Sequence, residues 1–183
     1  GWMIAIFTFL FFLWQTPALA SWRQRGVIFL RYLSSSLLAA GISAVILLPT
    51  FYALMQSKGT YTETKIHSRF AYFSPKMLGK LVPGSFNFNQ MPSGQPNIYI
   101  GMLLMLGACL YFFNNRFDLR RRLIGAAISI FFIFSFCYEP LDLLWHAGQF
   151  PVWYPYRFSY LFSFWCIYLA AKVLQPDFKI KKR

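Results

Sequence analysis

Between Tyr32 and Leu54 the chain carries no charged side chain, and this one stretch restricts the fold more than any other feature. A helix needs about 20 mostly apolar residues to cross the hydrocarbon layer of a bilayer. Lipid offers the backbone no hydrogen-bond partner, so such a stretch must be a helix or a strand of a closed barrel. Barrel strands alternate apolar and polar residues, and this run does not. Three further apolar runs cover 98–113, 123–138 and 156–174, and a shorter one covers 2–14. The expected fold is therefore all-α, a polytopic transmembrane helix bundle of about five helices. Composition agrees: 57% of the 183 residues are hydrophobic and 13% charged, against roughly a quarter charged in soluble domains.

The first run is too short to cross and starts within apolar sequence. It reads as the tail of a truncated helix, and residues 1–183 as a single transmembrane domain fragment of a longer protein. A rival reading is a signal peptide, because Ala18-Leu19-Ala20 resembles a small-residue cleavage site; the run lacks the basic segment that precedes such signals.

Charge sets the direction of the spans. Eighteen Lys and Arg face five acids. A basic excess can mean nucleic acid, but that needs a soluble basic face. Here the cations fall in short clusters between apolar runs, so no nucleic-acid partner is expected. Arg23, Arg25 and Arg31 follow the first run, Arg116 and Arg120 to Arg122 follow the third, and Lys172 with the Lys179 to Arg183 tail follows the fifth. Alternate connections share one side of a membrane, and basic short loops stay in the cytoplasm. The connections 56–97 and 139–155 then face outward. Cys109, Cys137 and Cys166 lie in separate apolar runs with no metal-site spacing and read as packing residues.

Polar chemistry is expected in the outward connections. In the long one, five cations stand beside the single acid Glu63, a surface suited to phosphate or to anionic headgroups of membrane lipids. Ser74-Pro75 looks like a helix start. Met77, Leu78, Leu81 and Val82 then recur at helical spacing, predicting a short interfacial helix. In the second connection, Pro140 starts a short helix that Gly148 ends, and the four-residue spacing puts Asp142 and His146 on one face. The pair can orient the imidazole as acid, base or phosphate donor, or serve as a hydrogen bond that holds the loop. Arg157, at the mouth of the last span beside Tyr156, either snorkels to headgroups or faces a polar cavity. Trp145, with Trp153 and Tyr154, suits an interfacial belt as well as a sugar platform.

Several strings carry a resemblance: Trp145-His146, Gln149-Phe150-Pro151, Tyr154-Pro155-Tyr156-Arg157-Phe158-Ser159-Tyr160, Leu47-Leu48-Pro49-Thr50-Phe51-Tyr52 closing a helix, and Asn97-Ile98-Tyr99-Ile100-Gly101 opening one. Together they resemble the bacterial YfhO-type membrane proteins, which look like membrane glycosyltransferases of the GT-C class. The resemblance implies a multi-pass protein of the bacterial cytoplasmic membrane. It would move a sugar from a polyprenyl-phosphate carrier to a cell-envelope polymer on the outer side. It further implies that Arg157, Tyr156, His146, Asp142, Trp145 and Gln149 bind substrate, with Arg157 holding the departing phosphate. A divalent cation is left open. In that class the catalytic acid lies in the first outward loop, and this chain has no acidic loop ahead of its second span, so the catalytic residue is expected upstream. A transporter or flippase of lipid-linked precursors is the alternative, and a purely structural subunit a third; inverted repeats of interrupted helices would favour transport. No glycine-rich nucleotide loop, zinc motif or nucleophile elbow is present.

Overall fold

The computed structural model describes residues 1–16, 21–56, 74–85, 87–90, 96–148 and 154–175. Six α-helices follow in order: α1 Trp2–Gln15, α2 Trp22–Gln56, α3 Met102–Phe113, α4 Leu119–Cys137, α5 Glu139–Trp145 and α6 Ser159–Leu174. Two 3₁₀ segments, Ser74–Leu81 and Phe88–Gln90, precede α3. No β-strand occurs among the described residues.

The helix boundaries depart from the apolar runs in ways that backbone chemistry explains. α2 starts ten residues before Tyr32, so Arg23, Arg25 and Arg31 stand on its first turns rather than in a loop. It also runs through Pro49 and ends at Gln56, two residues past the apolar run that the Leu47-to-Tyr52 string closes. Proline withdraws the amide that would reach the Val45 carbonyl, and beside it Thr50 donates its hydroxyl to the Ile46 carbonyl at 2.8 Å. At about 1.5 Å per residue α2 is roughly 52 Å long, well beyond the ~30 Å hydrocarbon layer. Conversely, α3 begins only at Met102. Gly101 before it has φ 91°, a left-handed backbone that glycine adopts freely, and the apolar residues 98–100 ahead of it are not helical. α4 runs from Leu119 rather than 123 and includes Arg120, Arg121 and Arg122. α6 starts at Ser159, because Tyr156 to Phe158 form a turn. Among the described residues one helix, α2, is both long and apolar enough to cross a membrane; α1, α3 and α6 are apolar but shorter.

The interfacial helix is corrected as well. Ser74–Leu81 is a 3₁₀ helix, in which residues i and i+3 eclipse one another. Lys80, rather than Leu78, therefore shares the inner face with Met77. Both are buried, while Leu78 and Val82 are exposed, and the segment packs on α4.

Direction is readable from contacts at the two ends. At one end Trp14 Nε1 donates to the Arg121 carbonyl at 3.1 Å, Arg122 Nη1 donates to the Phe112 carbonyl at 3.3 Å, and the Tyr168 ring, one turn before Lys172, packs edge-on against Trp14 at 5.6 Å. At the other end Trp2 Nε1 donates to the Leu144 carbonyl at 2.7 Å. α1, α3 and α6 thus run towards a basic end and α4 away from it. Tyr32 meets α1 through Thr8 and a stack on Phe12, after which α2 leaves the bundle with its side chains exposed. The broadest helix pair is α3 with α6. It is made possible by small residues: a Cβ added at Gly107 would stand 3.0 Å from Ala170 Cβ, the close approach typical of helix pairs in lipid.

Candidate functional site

Opposite the basic end, α5 turns the chain back across the top of α4. Pro140 sits in its first turn, where the missing amide has no ladder partner to lose. The helix closes with the Gly148 amide donating to the Leu143 carbonyl at 2.8 Å and the His146 amide to the same carbonyl at 3.0 Å. Ala147 (φ 55°) and Gly148 (φ 79°) are both left-handed. Glycine takes that conformation without steric cost, but alanine pays of order 1–2 kcal/mol. Tyr154, just before Pro155, is left-handed too at φ 57°. Strain of this kind on both sides of one connection marks a shape held by its surroundings.

What holds it is a column of four parallel rings. Phe136 stacks on Phe158 (4.9 Å between centroids, 8° between planes), Phe158 on Trp145 (4.8 Å, 7°), and Trp145 on Phe132 (5.1 Å, 18°). Centroid spacings this long with planes this parallel are offset stacks, the favoured form, each contributing about 0.5–1.5 kcal/mol beyond area burial. The column starts and ends on α4 and passes through α5 and the turn before α6. All four rings have 0% exposure.

Against this column sit the polar groups. His146 Nδ1 lies 2.9 Å from the Asp142 carbonyl oxygen and 3.4 Å from Asp142 Oδ1. A carbonyl oxygen only accepts, so Nδ1 carries the proton, and in the neutral imidazole Nε2 keeps its lone pair. The His146 side chain is 7% exposed and that of Asp142 14%. His146 Nε2, Asp142 Oδ1 and Trp145 Nε1 are all buried with no hydrogen-bond partner among the described residues. Buried polar atoms normally have partners, so these three, within five residues of chain, mark the candidate site.

The structure brings Asp142, His146 and Trp145 together on α5. Phe158 joins them to the next turn: the edge of its ring meets His146 at 6.3 Å and Tyr156 at 6.4 Å. Both faces of Trp145 are covered by rings, so its Nε1 edge rather than its face is the part open to chemistry. Arg157 is exposed, its guanidinium 5.8 Å from the centroid of the Tyr154 ring. Gln149 and Trp153 lie outside the described residues. Phe158 and Phe132 are the organising residues that sequence reasoning passed over; their only signal was aromatic density around the Trp145-His146 string. Among the described residues no group of three or more His, Cys, Asp or Glu could hold a metal ion, and Cys109, Cys137 and Cys166 are free.

An all-helical bundle with one long lipid-length helix, cations gathered at one end and an incompletely satisfied polar site at the other defines a helical membrane protein. The chain belongs to the YfhO family, whose model, described as bacterial membrane protein YfhO, matches residues 1–183. No curated protein and no solved structure matches it.

Proposed function

We propose that this chain forms the substrate-binding part of an integral membrane glycosyltransferase. It transfers a sugar from a polyprenyl-phosphate carrier to a cell-envelope polymer on the outer face of the bacterial cytoplasmic membrane. The observation that carries this reading is the buried Asp142–His146 pair with Nε2 unpartnered, set at the end of the bundle opposite the arginine clusters that start α2 and α4. Positive residues stay in the cytoplasm, so that end faces outward. In this reading α1, α2, α3, α4 and α6 provide about five passes, the shorter helices crossing with neighbouring non-helical residues shielded by protein.

The chemistry divides between the two turns flanking Phe158. His146 Nε2 accepts from a hydroxyl of the sugar or of the acceptor polymer, and Trp145 Nε1 donates to a neighbouring sugar oxygen. Arg157, with Tyr156, takes the carrier phosphate: as the sugar C1–O bond to phosphate breaks, the bonding pair passes to the leaving phosphate oxygen, and a planar guanidinium meets that charge bidentately. The new bond forms from the acceptor oxygen to C1. The base that takes the acceptor's proton is assigned upstream, by resemblance to the GT-C class.

The test is sugar transfer in membranes carrying the intact protein. Arg157→Ala and Arg157→Lys should both lose activity, Lys because it keeps the charge without the fork. His146→Asn, whose amide reaches only as far as Nδ1, should lose more than His146→Gln, whose Oε1 can stand in for the Nε2 acceptor. Transfer that survives both Arg157 variants refutes the assignment. Carrier movement across vesicles without any transfer would replace it with the flippase reading.

A further inference from the structure

The opposite, basic end of the molecule carries a second site that the transfer reaction does not use. A groove of about 460 Å³ opens between α1 and α2, lined by Phe11, Phe12, Ile28 and Tyr32 and bordered by Arg121 from α4. Its volume falls within the ~300–1,000 Å³ usual for ligand pockets. A second hollow of about 510 Å³ adjoins it on the first turns of α2; Ile28 lines both, and Arg23 and Arg31 line the second. The floor is firm, because Tyr32 stacks on Phe12 at 4.8 Å and its hydroxyl lies 3.3 Å from that of Thr8. Arg121 is fixed in place by its own carbonyl, which accepts from Trp14. No acid lines either hollow, and no Asp or Glu occurs between Gly1 and Gln56. Beyond the groove, Leu38 and Ile42 continue along the Arg31 face of α2 as exposed apolar side chains.

Cations at the rim, aromatic and aliphatic walls below, and an apolar helix leading away form the complement of an amphiphile with an anionic head. A soluble phosphate would leave the apolar walls uncovered, and an apolar peptide would leave the arginines without a counter-charge. We propose that this groove is a binding site for an anionic phospholipid. Its phosphate lies between Arg121 and Arg31, and one acyl chain follows α2 past Leu38 and Ile42, which share the Arg31 face of the helix. The bound lipid fills the gap between α1 and α2, whose direct contacts are confined to a few residues around Phe12 and Tyr32.

The experiment is native mass spectrometry of the purified protein in neutral detergent, supplied with equal phosphatidylglycerol and phosphatidylcholine. The protein should retain phosphatidylglycerol in preference. Each arginine near an anionic lipid surface is worth about fivefold in binding, so Arg121→Gln should lower retention about fivefold and Arg31→Gln with Arg121→Gln about twenty-five-fold. Arg120→Gln, on the same turn but outside the groove, should change little. Ile28→Trp keeps every charge and fills the junction of the two hollows, so it should also expel the lipid; this variant decides the matter if Arg121→Gln does not fold. Equal retention of the two lipids overturns the proposal. So does a loss on Arg120→Gln as large as on Arg121→Gln, which would mean diffuse charge attraction. Displacement by soluble glycerol phosphate would show a phosphate site without lipid and overturns it too.

Discussion

A methyl group added at Gly107 tests how closely α3 and α6 are set. Its carbon would lie 3.0 Å from Ala170 Cβ and 3.4 Å from Ala170 Cα. Carbon atoms rest about 3.5–4.0 Å apart, so the two must separate by roughly 0.5–1 Å. Neither atom sits on a rotatable side chain, and only movement of one helix against the other relieves the clash. Overpacking of this kind costs about 1–3 kcal/mol. At roughly 2–4 °C per kcal/mol for a chain of this size, Gly107→Ala should lower the thermal midpoint of the purified protein by about 2–12 °C. Sugar transfer should fall with it, because α6 starts immediately after Phe158 and carries that ring with it. Adding Ala170→Gly removes the 3.0 Å contact and should restore most of the loss, giving a coupling energy of the sign expected for touching residues. A Gly107→Ala protein with an unchanged midpoint, or a double variant no better than the single, would refute the close approach.

Phe158→Ala takes the ring between Phe136 and Trp145 out of the column and should cost about 3–5 kcal/mol, read by chemical unfolding; Phe158→Leu should cost less. If Phe158→Ala is no worse than an exposed Phe113→Ala, the column is not what holds α5. Burial pushes the Lys80 ammonium below its ordinary value of 10.5. Between the folded value and 10.5 the unfolded chain binds more protons than the folded one, so stability rises with pH across that window and the penalty is fully present below it. Lys80→Met should flatten that rise in unfolding curves taken at a series of alkaline pH values, although it also removes the bond from Lys80 Nζ to the Ser85 carbonyl. Parallel slopes for the two proteins would contradict the burial argument.

What the sequence determined by itself is local chemistry. Continuous apolar runs require helices wherever lipid is the solvent. The recurrence of arginines and lysines at alternate connections placed three helix ends together before any contact was known, and the contacts of Trp14 with Arg121 and Tyr168 and of Arg122 with Phe112 bear this out. The short helix from Glu139, its closure at Gly148 and the pairing of Asp142 with His146 were equally legible, because a proline, a glycine and a four-residue spacing are all read within one turn of chain. Helix ends were less legible. Hydrophobicity does not distinguish a helix from the non-helical residues 98–100, and the break depends on one backbone angle at Gly101.

Tertiary structure alone decided which face of each helix packs. An apolar helix is as hydrophobic towards lipid as towards its neighbour, so no stripe in the sequence marks the inside. Close approach of Gly107 to Ala170, the buried Lys80 beside Met77, and the ring column from Phe136 through Phe158 and Trp145 to Phe132 all depend on residues far apart in the chain meeting in space. Beside that column His146 Nε2 is buried with no hydrogen-bond partner among the described residues, which the Trp145-His146 string by itself does not reveal.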